Sequence, residues 1–342
     1  MAIAKGALEG VEMSDYKKKK FWRKKIVLVT GFEGFLGSHL TKALISYGAK
    51  VTGLDIKVHR KDTILCSADY KKIEVIKGNV ANYRLLRKII NKDNIQIVFH
   101  LAAEALVEKG YDNPLRAFRS NICGTWSILE ACRFARSLEA LIVASSDKAY
   151  GSHKKLPYTE TTPLIGRNPY DVSKSSADLI AHAYAHTYGL PVAITRCGNI
   201  YGPGDLNFSR IIPDTIRCAL TNRKLLIRSD GQYTRDYVYI DDIVNGYILL
   251  AEKLKKLDLK GEAFNLSDEN PLAVIRVVNY VFGLMGKSPN YEIFDRARCE
   301  IRHQYLASQK ARKILKWKPR VSLKQGLLKT INWYKDYFKN ES

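Results

Sequence analysis

The chain has 342 residues, of which 46% are hydrophobic and 26% are charged. This composition indicates a folded globular protein of one or two domains and excludes a largely disordered chain. The formal net charge of +22 leaves three classes of partner to separate: a nucleic acid, an anionic membrane surface and an anionic small molecule. The basic residues are spread without interleaved stacking aromatics or a DNA-reading motif, so we expect no nucleic-acid partner.

Cysteine usage and hydropathy predict a cytoplasmic protein. The cysteines form no CxxC pair, which argues against a zinc ribbon or a disulfide framework: Cys66, Cys123, Cys132, Cys197, Cys218 and Cys299. No apolar run reaches the ~18 residues of a membrane span, and the N-terminus lacks the apolar core of a signal peptide. We expect no membrane partner. His182 and His186 stand four residues apart but lack the adjacent Glu of HExxH, so no metal site is predicted.

The element pattern predicts a doubly wound α/β fold. Residues 1–20 are expected to form a flexible basic leader. Strands alternate with helices after it, which is typical of a Rossmann-type parallel sheet. Predicted strands span 26–29, 50–54, 73–76, 95–100, 140–145 and 191–196, and predicted helices span 35–47, 83–91, 114–136 and 170–188. The dinucleotide-type domain is therefore placed at 21–198, with segments around 235–265 returning to it, and 199–342 mainly form a smaller C-terminal α/β substrate lobe.

A glycine-rich turn is predicted between the first strand and the first helix. Residues 31–37 read GFEGFLG, so the backbone can approach a pyrophosphate at a helix N-terminus. Asp55 follows at the end of the second strand, where an acidic residue would hydrogen-bond an adenosine ribose and favour NAD over NADP. Three nearby basic residues leave NADP open: Lys57, Arg60 and Lys61. The alternative interpretation is a glycine-rich turn with a structural role only.

Tyr170 and Lys174 form a YxxxK motif that places both side chains on one face of a predicted helix. A cation at this spacing favours the phenolate, so Tyr170 could act as a general base. A surface Tyr/Lys pair is the alternative, because this spacing is common by chance. The motif follows the strand that ends at residues 145–148, which read SSDK, and this order favours the catalytic interpretation.

These motifs together resemble the extended short-chain dehydrogenases over roughly residues 21–337. The resemblance rests on TGxxGxxG at residues 30–37, HLAA at 100–103, NxxGT from Asn121, the strand end at Ser146, Tyr170 with Lys174, and RCGNIYGP at 196–203. It implies bound NAD and a set of cofactor-binding positions. In this chain they are Gly31, Gly34, Phe35, Leu36, Gly37, Asp55, Asn79, Val80, Leu101, Ala102, Ala103, Asn121, Tyr170, Lys174 and Cys197.

Within that family, Ser146-Asp147-Lys148 resembles the triplet of the sugar-nucleotide 4,6-dehydratases, most closely CDP-glucose 4,6-dehydratase. The resemblance implies that Tyr170 takes the proton of the sugar 4-hydroxyl while Ser146 holds that oxygen. Asp147 would be the acid at the C6 hydroxyl and Lys148 the base at C5; a simple ion pair is the alternative. Residues 235–242 read RDYVYIDD, which is more like the dTDP-glucose dehydratase and epimerase pattern, so the nucleotide base and the sugar stay open.

The same resemblance implies contacts to a nucleotide-diphosphate sugar from four residues: Asn199, Arg210, Arg235 and Arg302. A guanidinium suits a pyrophosphate because its fork binds two oxygens at once. Apolar positions along 117–134 and 177–188 exceed what one face of a sheet can cover. Members of this family commonly pair through two such helices, so a homodimer is expected.

Two alternatives remain at this point. A 4-epimerase of nucleotide sugars would need Ser146, Tyr170 and Lys174 but no acid/base pair at Asp147 and Lys148. A non-catalytic NAD-binding regulatory protein would not need Ser146, Tyr170 and Lys174 together, and their joint presence argues against it.

Overall fold

The computed structural model describes residues 19–296 and 300–341, without the side chains of residues 107–109, 340 and 341. Residues 1–18 of the predicted leader and Cys299 lie outside the described residues. Residues 19–22 form a helical turn in which Trp22 is fully buried and donates from Nε1 to Glu252 at 2.7 Å. The described end of the predicted leader is therefore anchored on the body of the protein.

The strands of the described residues are short, and seven of them form the central sheet. In chain order they are β1 Ile26–Thr30, β2 Lys50–Asp55, β3 Ile73–Lys77, β4 Ile97–His100, β5 Ala140–Ala144, β6 Val192–Cys197, β7 Asn199–Tyr201, β8 Leu225–Ile227, β9 Thr234–Arg235, β10 Tyr237–Tyr239, β11 Ala263–Leu266, β12 Leu272–Ala273, β13 Tyr291–Ile293 and β14 His303–Gln304.

The helices flank the sheet and build much of the C-terminal lobe. They are α1 Phe35–Ser46, α2 Ser67–Tyr70, α3 Tyr83–Lys92, α4 Val107–Asp112, α5 Pro114–Phe118, α6 Gly124–Arg133, α7 Pro169–Tyr188, α8 Ile211–Thr221, α9 Ile240–Leu254, α10 Val274–Leu284 and α11 Leu323–Glu341. A 3₁₀ turn spans Asp147–Tyr150, and single π-helical turns span Arg119–Cys123 and Ala311–Leu315.

The central sheet confirms the predicted fold class. Its strand order is β3-β2-β1-β4-β5-β6-β11, and all its pairs are parallel. This is the doubly wound order, in which ligands bind outside the carboxyl ends of the strands where the order reverses, between β1 and β4. β11, from the segment expected to return to the first domain, lies at one edge of the sheet. The boundaries at 20 and 198 stay a prediction.

Two apolar cores cover the faces of the sheet. On one side α1 and α9 pack against β1 and β4 through residues such as Leu40, Tyr247 and Phe99. On the other side α3, α6 and α7 supply Leu86, Ile128 and Ala181. Because the strands are buried on both faces, their sequences are nearly continuous apolar runs, which is why they could be predicted within about two residues.

One predicted helix is helical over 114–133 but contains a turn that its periodicity did not predict. The helix expected over 114–136 is divided into α5, a π-helical turn at Arg119–Cys123 and α6. In that turn the amide oxygen of Asn121 accepts from Glu104 N at 2.8 Å, and its nitrogen donates to Ser173 Oγ at 2.8 Å. A π-turn commonly marks a functional site, and this one turns a polar side chain inward. Among the described residues, no helix is both long and apolar enough to cross a membrane.

Candidate active site

The turn between β1 and α1 forms a tight backbone cradle. Gly31 has φ +72°, and a Cβ built on it would lie 2.8 Å from Ala102 N. A Cβ on Gly37 would lie 2.0 Å from the Gly31 carbonyl oxygen. Only glycine fits these positions. No described side chain caps the N-terminus of α1, so its first N–H groups can donate to phosphate oxygens.

Buried acids order the loop that follows β2. Asp55, 9% exposed, ends that strand, and burial raises its pKa. The Glu33 carboxylate is buried in the glycine turn and accepts from His59 N and Arg60 N, each at 2.7 Å. The Arg60 guanidinium pairs with Asp62. A carboxylate in this position suits a ribose hydroxyl rather than a 2′-phosphate, and the Arg60 side chain is already occupied.

The SSDK segment joins the end of β5 to a 3₁₀ turn at the same edge of the sheet. Ser146 Oγ donates to Asp147 Oδ1 at 3.0 Å and accepts from Lys148 N at 3.2 Å. Asp147 is 3% exposed, and its Oδ2 has no hydrogen-bond partner among the described residues. Lys148 Nζ lies 3.9 Å from Asp147 Oδ1, with a fifth of its side chain exposed. Asp147 and Lys148 are thus close enough for the ion pair that is the alternative interpretation. Asp147 Oδ2 nevertheless has no described partner and could bind a substrate.

Tyr170 lies in the first turn of α7 and faces this segment. Burial raises its pKa to about 12, and a hydrogen bond with Ser146 opposes that effect. The motif predicted a lowered pKa through Lys174, and this is wrong for the structure. Lys174 Nζ instead donates to the Ala144 carbonyl at 2.8 Å, and burial lowers the Lys174 pKa to about 8. Burial is the largest cause of the pKa shift of both groups.

A buried polar chain connects the sheet to α7. Thr30 Oγ1 lies 2.9 Å from His100 Nδ1, and His100 Nε2 lies 3.3 Å from Thr125 Oγ1. Thr125 Oγ1 donates to the Asn121 carbonyl at 2.6 Å, so Nε2 must carry the imidazole proton. Asn121 then donates to Ser173, which donates to the Tyr170 carbonyl at 2.7 Å. Burial lowers the His100 pKa to about 3, so the chain is uncharged.

The predicted diphosphate contacts lie in the C-terminal lobe. The Arg235 and Arg302 guanidiniums lie 5.8 and 5.7 Å from the Tyr233 ring centre, and Arg235 is buried whereas Arg302 is exposed. Asp147 and Arg235 both affect the pKa of Tyr158, which burial raises first, so both approach that ring. The two arginines therefore lie together beside the Tyr233 ring.

Arg210 and Asn199 reach the site from other elements. Arg210 precedes α8 and pairs with the buried Asp205 at 3.0 Å, and its charge also acts on Tyr170. Asn199, half-buried in β7, donates its backbone N–H to the Asp236 carbonyl at 3.0 Å. The structure thus brings the charge of Arg210 within reach of Tyr170 and places Arg235 and Arg302 at the same Tyr233 ring.

The remaining predicted cofactor positions follow the strand ends. Leu101, Ala102 and Ala103 come directly after β4, and Cys197 ends β6 with its pKa raised to about 12 by burial. Val80 and Asn79 follow β3, where Val80 is buried and Asn79 is exposed. Phe35 and Leu36 open α1. Their contacts to a cofactor stay a prediction.

Sequence reasoning assigned no role to Glu33 or Asp236. Asp236 is 1% exposed, and burial raises its pKa to about 7. Its Oδ2 accepts from Ser267 Oγ and from Leu306 N, whereas Oδ1 has no partner among the described residues. In the sequence, the one indication of a role for Asp236 was its position directly after Arg235, a predicted diphosphate contact. Glu33 lay inside the glycine motif, but only the loop contacts explain it.

Comparisons with known proteins agree with this geometry. The sequence profile of the GDP-mannose 4,6 dehydratase family matches residues 28–330. A UDP-glucuronate 4-epimerase of Thermodesulfobacterium geofontis is 30% identical over 90% of this chain and 96% of its own length. The CDP-glucose 4,6-dehydratase of Salmonella typhimurium is 29% identical over 94% of each chain. The chain spans about half, 47%, of a trifunctional UDP-glucose 4,6-dehydratase of Arabidopsis thaliana, at 29% identity over 92% of this chain.

Solved structures give the same result. The dTDP-glucose 4,6-dehydratase of Bacillus anthracis, determined in complex with NAD, superposes with a TM-score of 0.82 at 29% identity, over 92% of this chain and 98% of that one. Dehydratases and epimerases thus match this chain about equally well. The match over residues 28–330 and the epimerase at 30% identity show that the chain belongs to the GDP-mannose 4,6 dehydratase family, among the extended short-chain dehydrogenases that act on nucleotide sugars.

Proposed function

We propose that this protein is an NAD-dependent 4,6-dehydratase that converts an NDP-hexose into its 4-keto-6-deoxy derivative. The observation that carries the proposal is the Ser146-Asp147-Lys148 segment at the end of β5, where a buried carboxyl with one unpartnered oxygen stands beside an amine. An epimerase has no use for an acid and a base there. The glycine cradle and the Asp55 carboxylate fit NAD, which when bound supplies the hydride acceptor.

The first step is removal of the proton from the sugar 4-hydroxyl by Tyr170. Its pKa of about 12 means that Tyr170 is protonated near neutral pH, so it must pass on its own proton as it accepts another. Ser146 Oγ has a single proton, which it gives to Asp147 Oδ1. In the bond between them, Tyr170 is therefore the donor and Ser146 the acceptor.

The resulting chain of donors carries a proton from the 4-hydroxyl to Asp147. The sugar O4–H bond breaks as Tyr170 gains that proton, Tyr170 passes its own to Ser146, and Ser146 passes its own to Asp147. The hydrogen on C4 leaves as hydride, and the sugar becomes a 4-ketone. Asp147 is now a carboxylic acid, which is the form that the next step needs.

Elimination then uses the acid that the first step created. The 4-ketone acidifies the C5 proton, which the Lys148 amine removes, while Asp147 protonates the C6 hydroxyl and water leaves. Hydride returns to C6, and Lys148 returns its proton to C5. The water formed consists of the C6 hydroxyl and the proton that Ser146 passed to Asp147. The O4 proton stays on Tyr170 and the former Tyr170 proton on Ser146, so all three groups end the cycle in their starting state of protonation.

The C-terminal lobe supplies the contacts for the anionic half of the substrate. Arg235 and Arg302 share the Tyr233 ring, and two adjacent guanidiniums can bind a diphosphate through several charge-assisted hydrogen bonds. The Arg302 guanidinium pairs with Asp230 at 2.6 Å, and the Arg235 guanidinium pairs with Glu300 at 3.5 Å. We assign the diphosphate to this pair, with Arg210 and Asn199 nearer the sugar.

A homodimer through α5–α6 and α7 is part of the proposal. These helices leave large apolar side chains in solvent: Leu115 is 79% exposed, Trp126 49% and Leu179 57%. Side chains of this size on neighbouring helices favour burial against a second copy. Sedimentation of the purified chain tests this assembly.

Incubation of the purified protein with NAD and a panel of CDP-, dTDP-, GDP- and UDP-hexoses tests the reaction. A product lighter by one water, with no accumulation of reduced cofactor, is the expected result, and the reactive member of the panel identifies the base and the sugar. An isomer of unchanged mass would show the epimerase instead. Stoichiometric accumulation of reduced cofactor would contradict both redox-neutral cycles.

A further inference from the structure

The edge of the sheet opposite the candidate active site is strongly basic. In a parallel sheet all the segments that precede strands meet at one edge. Here these segments are 19–25, 48–50, 71–72, 92–96, 136–139, 189–191 and 255–262, and we call them the amino-edge surface. They contain thirteen lysines and arginines against four acidic residues.

The opposite, carboxyl edge of the same sheet serves as a comparison for this excess of basic over acidic residues. The segments that follow the same seven strands are 31–34, 56–61, 78–82, 101–104, 145–148, 198 and 267–269. They contain four basic residues and five acidic ones. The net charge of +22 is therefore not spread evenly, since the amino-edge surface carries a disproportionate part of it.

The segments of the amino-edge surface are in direct contact. Lys24 N donates to the Gly48 carbonyl at 2.9 Å, Lys50 N to the Lys25 carbonyl at 2.8 Å, and Gly261 N to the Val192 carbonyl at 2.7 Å. Seven strands at ~4.8 Å spacing make an edge about 29 Å wide. The segments thus lie side by side along one edge of the sheet, and six of the seven contain basic residues.

Most of these charges are exposed and unbalanced. All the basic residues except Lys25 are exposed. The four acids are each matched by a nearby lysine: Glu139 by Lys25 at 2.6 Å, Asp258 by Lys260 at 3.2 Å, Asp93 by Lys92 at 3.8 Å, and Glu262 by Lys310. The ten other basic residues form no ion pair with any residue of 19–296 or 300–341.

Like charges are also crowded beside this surface. The pKa of Lys253 is lowered first by burial and then by the charges of Lys316 and Lys256. Leu257, 45% exposed, stands between the exposed Lys256 and Asp258 and adds apolar area. Holding such charges together costs folding free energy through repulsion, which an anionic partner would relieve.

We propose that the amino-edge surface docks this protein on the surface of an anionic lipid bilayer. Eleven of its thirteen basic residues are lysines, whose compact, hydrated charges suit diffuse attraction to headgroups rather than forked recognition of single phosphates. The surface is broad, and no described aromatic of these segments is exposed for base stacking, which disfavours single-stranded nucleic acid.

This docking would leave the catalytic edge facing the solvent, so a charged nucleotide sugar could still enter. The proposal departs from the sequence-based expectation of no membrane partner, which rested on the lack of an apolar run long enough to span a bilayer. It is independent of the proposed reaction, since none of the residues involved belongs to the candidate active site.

Co-sedimentation of the full chain with vesicles tests the proposal. The chain should pellet with mixed phosphatidylcholine–phosphatidylglycerol vesicles but not with pure phosphatidylcholine. Raising the salt from about 0.1 M to about 1 M should release it, because the screening length falls from roughly 10 Å to 3 Å. Absence of binding to the anionic vesicles at low salt would overturn the proposal.

Paired charge reversals locate the surface. Lys255→Glu/Lys256→Glu and, separately, Lys71→Glu/Lys72→Glu should each weaken vesicle binding on the order of tenfold. The matched control Lys154→Glu/Lys155→Glu changes the same charge on exposed neighbouring lysines outside the amino-edge surface and should bind like the wild type. Circular dichroism and turnover should be unchanged in all three.

Two outcomes would overturn either the amino-edge surface as the docking site or the lipid bilayer as its partner. An equal loss in the Lys154/Lys155 control would mean that only net charge matters, with no docking face. Tighter salt-sensitive binding to single-stranded RNA than to anionic vesicles, under the same conditions, would replace the bilayer by a nucleic acid.

Discussion

The two edges of the central sheet use charge in opposite ways. At the carboxyl edge, Glu33, Asp55, Asp147 and Lys174 are buried, and burial dominates the pKa of both Asp55 and Lys174. At the amino edge most of the charges are exposed, and ten of the seventeen are exposed lysines. The comparison shows that the total charge of a sequence says little about its chemistry, because burial and partners decide what each group does.

This difference predicts how each edge responds to substitution. A buried group held by fixed partners should be sensitive to a single isosteric change. Exposed lysines should tolerate reversal of charge with turnover intact.

Asp147→Asn should reduce turnover by about a thousandfold, since positioned acid catalysis contributes roughly 10²–10⁴. The amide cannot receive the relayed proton or protonate the C6 hydroxyl. Product mass measured over time checks the loss, and an unchanged circular dichroism spectrum excludes misfolding. Full turnover in this variant would favour the epimerase and would also break the contrast between the two edges.

Ser146→Ala should reduce turnover by about a hundredfold, because it interrupts the path from Tyr170 to Asp147. Ser146→Thr keeps the hydroxyl and is expected to restore most of the rate. A solvent isotope effect distinguishes the relay from mere positioning. In mixed H₂O and D₂O the wild type and Ser146→Thr should show a curved dependence of rate on deuterium fraction, since several protons move together. A linear dependence in the wild type would contradict the relay.

Gly37→Ala should weaken NAD binding and lower the free energy of unfolding by roughly 2–4 kcal/mol, because its Cβ would lie 2.0 Å from the Gly31 carbonyl. Gly283→Ala in α10 is the matched control, since its Cβ meets no atom within 4 Å. The control should be neutral or more stable by about 0.5–1 kcal/mol. Urea unfolding and cofactor titration measure both, and equal behaviour of the two variants would refute the cradle.

Asp236→Asn should stabilise the protein at alkaline pH. The folded pKa of about 7 is raised from 3.8, so its contribution to stability is complete below pH 3.8 and is lost as pH rises through 7. Asparagine does not ionise, and it can keep the bonds from Ser267 and Leu306. The variant should gain about 1–3 kcal/mol over the wild type at pH 8 and little at pH 4. Asp258→Asn, at an exposed site, should show no such pH-dependent difference in urea unfolding.

The sequence was sufficient for the sheet but not for every helix. Buried parallel strands are short apolar runs, so β1 to β6 could be predicted to within about two residues at either end. The interruption at Arg119–Cys123 could not, because it depends on the bonds of Asn121 to Glu104 and Ser173, which are far apart in the chain. The local periodicity of a sequence gives no information about contacts between residues that are far apart in the chain.

The same limit applies to the site. The motifs gave Ser146, Asp147, Tyr170 and Lys174 because their spacing is local. Their protonation could not be inferred from spacing, since burial raises the pKa of Tyr170 and lowers that of Lys174. Asp236 was missed for a related reason: a carboxyl within RDYVY looks like any acidic residue until its surroundings are known.

The most direct test of the central claim is to follow a hydrogen label. An NDP-hexose that carries deuterium at C4 should be converted into a 4-keto-6-deoxy product with that deuterium in the C6 methyl group and one water lost. Such transfer is expected if the carboxyl edge combines oxidation at C4 with elimination through Asp147 and Lys148. Recovery of the deuterium at C4 of an isomeric sugar, with no loss of water, would contradict the account.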